Sequence, residues 1–305
     1  MAVLIDPPRW PAHGTRFAHL VSDTSLDELH AFAAAAGLPL RAFDHDHYDV
    51  AEGRYPQLVA QGAVPVPEQE LLRRLRAAGL RVRPQDRSPT VARVLPVLRA
   101  AWDTLLPGTP GIGTELLARW SEPHRFYHDV RHLAHALAAA REITGGEVPR
   151  PVQLALWFHD AVYRREPGAD EEASARLAVD LLAGTVVQAS ELDEITRLVR
   201  LTASHVLTDP HDQAGAIVLD ADLAVLGQPR GRYDVYVRDV RLEYEQVPEP
   251  DFRRGRVQVL NHLLGLTPLF ATGQGRLRWE DTARGNLAAE RRRWLTGAAN
   301  PLAKP

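Results

Sequence analysis

Two different patterns of hydrophobic and polar positions follow each other along the chain. Up to about Arg83, short apolar runs alternate with helical stretches that carry their own end signals. Ser25 is suited to cap a helix that stops at Gly37, and Pro67 to open another that stops at Gly79. Around these helices we predict strands or extended segments at 3–5, 18–21, 38–43, 63–66 and 80–82.

The pattern changes after a polar, proline-bounded segment at 84–89, which has the composition of a linker. Beyond it, apolar residues recur with helical spacing. We predict helices at about 91–105, 113–121, 126–143, 150–163, 170–183, 190–206, 216–226, 232–246, 253–265 and 284–296. The chain is therefore predicted to be an α+β multidomain protein, with a small α/β domain over residues 1–84, including some parallel strand pairing, and an all-α domain over residues 90–305.

The predicted helix at 150–163 contains an adjacent histidine and aspartate, His159 and Asp160, directly after Trp157 and Phe158. This helix is apolar nearly all round, which is typical of a buried helix. An ionised carboxylate is costly in such a place unless it meets a cation or a full set of hydrogen bonds. A metal ion bound jointly by His159 and Asp160 would meet that requirement, and an ion pair with an arginine such as Arg164 is the alternative.

Two further segments carry candidate ligands. His128, His132 and His135 share one stripe of a predicted helix, at about 100° per residue. Asp220 and Asp222 lie in another nearly apolar helix and point about 200° apart, so only one of them is expected at a shared ion.

The amino-acid composition limits which metal ligands and catalytic residues the protein can use. The chain has no cysteine, so any metal ion must be held by imidazole and carboxylate groups. Its single lysine, Lys304, excludes a P-loop lysine and a Schiff-base lysine. The net charge of −3 gives no reason to expect nucleic-acid binding, and the apolar runs are too short to span a membrane. Without a secretory signal in the sequence, we expect a cytoplasmic protein.

The order of His132, His159–Asp160 and a later aspartate resembles that of the HD superfamily of metal-dependent phosphohydrolases. The similarity extends over most of residues 90 to 270 and is greatest to a bacterial subgroup of predicted HD phosphohydrolases. It rests on the segments at 127–133, 157–163, 171–175, 202–205, 220–227 and 241–244. Residues 1–83 resemble a separate bacterial domain family of unknown function, through the segments at 10–14, 19–22 and 47–49.

The resemblance implies an HD-type helical domain with a divalent metal ion, without distinguishing Mn, Mg, Fe, Zn, Co or Ni. It implies the ligands His132, His159, Asp160 and Asp222, the last favoured over Asp220, with His205 available for a second ion. In related cyclic-nucleotide phosphodiesterases the histidine at the position of His128 is a proton donor. This chain departs from their motif because Asp129 stands where asparagine is usual.

We therefore expect metal-activated hydrolysis of a phosphate ester or anhydride in a small phosphorylated compound, nucleotides included. His128 and Asp160 are the predicted catalytic residues. Without an available lysine, arginines must bind phosphate charge, and Arg131, Arg241 and Arg256 are the candidates. The alternatives are an HD-fold di-iron oxygenase and a non-catalytic nucleotide-binding regulatory module. Among the N-terminal histidines, we expect the segment 45–47 to form a polar turn rather than a metal site.

Overall fold

The structure is a computed structural model that describes residues 2–296. The end of the predicted second domain, 297–305 with Lys304, lies outside the described residues. A mixed α/β region comes first and a largely helical region follows, which confirms the predicted fold class.

A six-stranded sheet organises the N-terminal region. Its strands are β1 (Val3–Ile5), β2 (Trp10–Ala12), β3 (Thr15–Ser22), β4 (Phe43–Asp44), β5 (His47–Ala51) and β6 (Val64–Pro65). They lie in the order β4-β5-β3-β1-β6, and β2 pairs with β3. The β1–β6 pair is parallel, as part of the sheet was predicted to be, and the other four pairs are antiparallel. Short connections allow antiparallel hairpins, whereas a parallel pair needs a longer crossover.

Helices cover both faces of this sheet: α1 (Leu26–Ala35), α2 (Tyr55–Ala60) and α3 (Glu68–Ala77). Successive side chains of a strand point to opposite faces, so the apolar residues of β1 and β3 divide between two cores. Ile5 and Leu20 pack in a cluster that includes Leu29 of α1. Leu4 and Val21 pack instead with Leu71 and Leu75 of α3.

The predicted strands are found only in part. Of the segment 38–43, residues Leu40–Ala42 form a 3-10 turn and Phe43 begins β4. Residues 80–82 belong to no strand. The expected polar turn is present at His45 and Asp46, with His45 at φ 62°, but His47 opens the unpredicted strand β5.

Within the described residues ten α-helices follow: α4 (Val91–Leu105), α5 (Pro110–Arg119), α6 (Val130–Thr144), α7 (Arg150–Phe158), α8 (Ala169–Leu182), α9 (Ala189–Leu201), α10 (Gln213–Leu223), α11 (Arg230–Glu243), α12 (Glu249–Gly265) and α13 (Gly273–Thr296). Every predicted helix overlaps one of them. None of the described helices is long and apolar enough to cross a membrane.

Three helix ends differ from the prediction in ways that affect the candidate site. Helix α6 begins only after Asp129, whose side chain accepts a hydrogen bond from the Arg131 amide at 2.7 Å, so His128 precedes the helix. Helix α7 ends at Phe158, and Asp160 lies in the turn beyond it. The His159 ring donates to the Leu156 carbonyl, the acceptor that the Asp160 amide would use in a continued helix. Helix α9 ends before His205.

The chain forms two compact units. Among the described residues, the first contains 2–87, Pro229–Val259 and 288–296, and the second contains Ser88–Gln228 and Leu260–Leu287. The break after Arg87 falls within the predicted linker. Helix α11 was assigned to the predicted domain 90–305, yet its Val235 packs in the core beside the sheet.

Candidate metal centre

Four side chains that the sequence analysis selected meet inside the helical unit. His132 lies in the first turn of α6, His159 and Asp160 follow α7, and Asp222 lies near the end of α10. The Oδ1 atom of Asp222 is 3.0 Å from His132 Nε2 and 3.5 Å from His159 Nε2. The Oδ2 atom of Asp160 is 3.2 Å from His159 Nε2 and 3.7 Å from His132 Nε2. Segments distant in sequence thus bring two imidazoles and two carboxylates to one point.

Hydrogen bonding determines which nitrogen of His159 faces the cluster. Its Nδ1–H donates to the Leu156 carbonyl at 2.9 Å, so Nε2 is directed at the carboxylates. The Nε2 atoms of His132 and His159 are 3.1 Å apart. Among the described groups, Nδ1 of His132 has no hydrogen-bond partner. Both rings therefore present Nε2 to the same small volume.

The charges in the cluster are strongly coupled. Burial lowers the pKa of His132. Burial opposes a charge on His159 as well, but the carboxylates of Asp160 and Asp222 raise the pKa of this imidazole well above its ordinary value. Burial alone would raise the pKa of both carboxyl groups, and the neighbouring His159 charge instead holds the pKa of Asp160 and of Asp222 low. A positive charge is thus favoured between the two carboxylates.

The cluster is buried on the histidine side and open on the carboxylate side. The side chains of His132 and His159 are each 1% exposed, whereas those of Asp160 and Asp222 are 17% and 13% exposed. His205, in the segment after α9, lies at the open side with its Nε2 2.9 Å from the Oδ2 atom of Asp222. The two carboxylates are thus the part of the cluster that is partly exposed to solvent.

The two aspartates of α10 have different surroundings. Asp220 accepts hydrogen bonds from the amides of Ala271 and Thr272 and from the Thr272 hydroxyl, at 2.6 to 2.8 Å. Burial raises its pKa to about 6. Asp222 faces the histidines, so Asp222 rather than Asp220 lies in the cluster. Its role as a metal ligand stays a prediction.

His128 lies beside the cluster. Its ring stacks on Tyr163 with a centroid distance of 4.4 Å, and its centroid is 5.7 Å from that of His132. Burial raises the pKa of the Asp160 carboxyl group, whereas His159 and, less strongly, His128 lower it. Its position is thus compatible with proton exchange at the edge of the cluster.

The three predicted phosphate-binding arginines all contact protein groups. Arg131 binds the Asp129 carboxylate at 2.8 Å and the Phe126 carbonyl. Arg241 binds the Tyr244 carbonyl at 2.6 Å, and Arg256 binds the Glu290 carboxylate at 2.7 and 3.0 Å. These contacts give Arg241 and Arg256 structural roles, and substrate binding by any of the three stays a prediction.

One residue at this site was not found by the sequence analysis. The buried guanidinium of Arg125 donates to the backbone carbonyls of His128 at 3.0 Å, Asp160 at 2.7 Å and Ala161 at 3.3 Å. It also lies over the rings of Trp120 and Tyr163. Arg125 therefore ties the segment before α6 to the turn after α7. The spacing of residues in the sequence does not reveal Arg125, because its partners are backbone carbonyls that only folding brings near it.

Comparison with known proteins gives one match, in the N-terminal region. A family model described as a protein of unknown function (DUF4031) matches residues 3–78, about a quarter of the chain. This similarity confirms that the N-terminal region resembles a family of unknown function. The match covers no part of the helical region, so its resemblance to HD phosphohydrolases stays a prediction. No curated protein and no solved structure matches the chain.

Proposed function

We propose that the protein is a metal-dependent phosphohydrolase of the HD type, acting on a small phosphorylated compound in the cytoplasm. The observation that carries this proposal is the convergence of His132, His159, Asp160 and Asp222 on one partly open volume. Their Nε2 and Oδ atoms are 3.0 to 3.7 Å apart in the measured pairs. Donor atoms of His132, His159 and Asp160 all lie within 4.8 Å of one another, and Asp222 adds an oxygen 3.0 and 3.5 Å from the two imidazoles. Ligands that share one ion at about 2.0–2.2 Å are separated by about 3 Å or more, so these spacings suit ligands of one divalent cation.

The chemistry of the donors supports a cation at this point. Two partly exposed carboxylates lie against imidazoles, and an imidazole carries positive charge only when it is protonated. The His159 Nδ1–H bond to a carbonyl is the arrangement that directs the other nitrogen of a ligating histidine to its metal. The four side chains, with His205 beside Asp222, are therefore the proposed holders of the ion.

An ion held by His132, His159, Asp160 and Asp222 would lower the pKa of a nearby water and act as a Lewis acid toward a phosphoryl oxygen. Asp160, on the open side, orients the attacking water and accepts its proton. His128, at the edge of the cluster, donates a proton to the departing oxygen. Arg125 is a positioning residue, because it fixes the backbone that carries His128 and Asp160.

The di-iron oxygenase is the second candidate, and one contact favours it. The two oxygens of Asp222 face different histidines: Oδ1 faces His132 and His159, and Oδ2 faces His205. Asp222 would therefore offer one oxygen to each of two ions, the second of them held with His205. A regulatory nucleotide-binding module without turnover is the remaining alternative, and we favour it less because the donor set is intact.

Metal analysis combined with a turnover assay tests the proposal. The full chain is purified, its metal content is measured, and it is assayed against a panel of phosphoesters and nucleotides. We expect Asp160→Asn to lose turnover and to bind metal more weakly. Asp180→Asn, an exposed carboxylate on α8, is the matched control and should behave as wild type. An Asp160→Asn protein with unchanged metal content and turnover would disprove the site, and two irons with dioxygen uptake and no phosphate release would favour the oxygenase.

A further inference from the structure

A second group of histidines and carboxylates lies in the N-terminal region. His19 on β3 is directly opposite Asp49 on β5, and His47 is two residues before Asp49 on the same strand. Residues two apart on a strand share a face, and directly opposed residues of an antiparallel pair do so as well. One donor atom from each of the three side chains lies within 4.8 Å of the others. This group is on the face of the sheet that also carries Val21 and packs against α3.

Both imidazoles are held in place by buried carboxylates. Asp6 accepts hydrogen bonds from the backbone amide of His19 at 2.6 Å and from its ring Nδ1 at 2.9 Å. Asp46 accepts one from the ring Nδ1 of His47 at 2.8 Å. Asp6 is 1% exposed and Asp46 is fully buried. A carboxylate on Nδ1 of each ring makes Nε2 the nitrogen that a metal ion would meet, which is the usual arrangement around a ligating histidine.

An exposed carboxylate and a cavity adjoin the two rings. The His47 Nε2 atom is 3.5 Å from the Oδ1 atom of Asp49, whose side chain is 47% exposed. The ring centroids of His19 and His47 are 4.9 Å apart and the rings are nearly perpendicular. The three residues line a cavity of about 440 Å³, together with Trp10, Glu68 and Arg81. Binding sites for small molecules fall in this size range.

We propose that His19, His47 and Asp49 bind a divalent transition-metal ion whose remaining coordination positions open into this cavity. Two imidazole nitrogens and one carboxylate oxygen suit zinc, iron, cobalt or nickel better than magnesium or calcium, which prefer oxygen ligands alone. Three protein ligands with an open position are typical of a reactive centre, whereas a structural zinc ion is closed by four. The inference is independent of the proposed phosphohydrolase, because none of its residues belongs to the helical cluster.

Cobalt binding to the full-length chain tests this site. The double variant His159→Ala/Asp222→Asn removes the helical cluster, and we expect it still to bind one Co²⁺ per chain, measured by elemental analysis after desalting and by the visible absorption of the ion. Adding Asp49→Asn to this background should weaken binding at least about tenfold, since loss of even an orienting partner costs about 10- to 100-fold. Glu52→Gln, an exposed carboxylate just after β5, is the matched control and should leave binding unchanged.

The design separates failure of this site from failure of the helical one. If the double variant binds no cobalt, or if Asp49→Asn binds it as tightly as Glu52→Gln does, the N-terminal site is disproved. A third outcome is that wild type binds a single ion, that Asp49→Asn no longer binds it and that the double variant still does. This outcome would support the N-terminal site and disprove the helical metal centre. His47→Ala gives the same test at a second ligand. If His47→Ala does not fold, Asp49→Asn still provides the test, because the Asp49 side chain is exposed and its replacement should not disturb folding.

Discussion

The two compact units each bury a cluster of ionisable side chains, and the clusters differ in the cation that neutralises them. In the first unit, the Glu290 carboxylate binds the Arg256 guanidinium at 2.7 and 3.0 Å, the Tyr233 hydroxyl at 2.5 Å and the Trp294 ring nitrogen at 2.9 Å. In the second unit, Asp222 binds the imidazoles of His132 and His205 at 3.0 and 2.9 Å.

This difference separates a structural cluster from one suited to function. A guanidinium is charged at every ordinary pH, so the Glu290 cluster is complete without any further group. An imidazole gains its charge only with a proton, and a metal ion can replace that proton. Burial of charge is common to both clusters, and the exchangeable cation is what makes the second one a candidate metal centre.

The largest expected effect is the loss of activity in Asp222→Asn. Replacing this carboxylate by an amide removes the charge that binds the ion, so we expect turnover to fall on the order of 10³-fold or more. Steady-state kinetics on the best phosphorylated substrate, with metal analysis of the same preparation, measure the effect. Glu290→Gln is the matched carboxylate-to-amide change, and its folded fraction should retain both metal and turnover. If folded Asp222→Asn and folded Glu290→Gln lost turnover equally, the Asp222 cluster could not be distinguished from the Glu290 cluster as the functional one.

The second effect is a loss of folding stability, and it is expected at the Glu290 cluster rather than at the Asp222 cluster. In Glu290→Gln the Arg256 guanidinium stays buried without its counter-ion, which typically costs about 3–5 kcal/mol of unfolding free energy. Chemical denaturation measures this loss. Asp251→Asn is the control, because the Asp251–Arg254 pair is exposed and its removal should cost less than about 1 kcal/mol. A loss in Glu290→Gln no larger than that of the control would show that the buried pair is not a structural element.

Metal removal should affect the helical cluster alone when the N-terminal site is disabled. In an Asp49→Asn background, an ion at 100 times its dissociation constant adds about 2.7 kcal/mol to the unfolding free energy. A chelator should therefore lower the melting temperature of this protein, and should not lower that of Asp49→Asn/Asp222→Asn. The same shift in both proteins would mean that the stabilising ion is bound elsewhere.

The sequence revealed the helical candidate site better than it revealed the N-terminal one. A charged pair directly after Trp157 and Phe158 is a local signal, and the order of the motifs added His132 and Asp222. In β5 the apolar Tyr48 and Val50 alternate in sequence with the polar His47 and Asp49. A strand signal was therefore present from His47 onward, although only 45–47 was interpreted, as a turn. The pairing of β5 with β3 depends on register, which a single strand does not encode.

Helix ends were the other feature that the sequence did not define. Asp160 and His205 were predicted inside helices and lie beyond them. The end of α7 depends on a hydrogen bond from the His159 ring to a backbone carbonyl, and Arg125 acts through three such carbonyls. Contacts of side chains with the backbone depend on the folded path, so residue spacing alone does not predict them.

The smallest effect concerns how acid changes the Glu290 cluster. Burial opposes the charge on Glu290, but Arg256 and the other hydrogen-bond donors lower the pKa of this carboxyl group in the folded state. A glutamate with a lowered folded pKa contributes stability that is complete above its unfolded pKa of about 4.3 and is lost as the pH falls toward the folded value. Glutamine does not titrate, so the stability deficit of Glu290→Gln should shrink below about pH 4.3, by up to about 1.4 kcal/mol per pH unit. Denaturation of both proteins between pH 7 and pH 3 measures this change, and a deficit that stays constant or grows in acid would contradict the assignment of a charged Glu290–Arg256 pair.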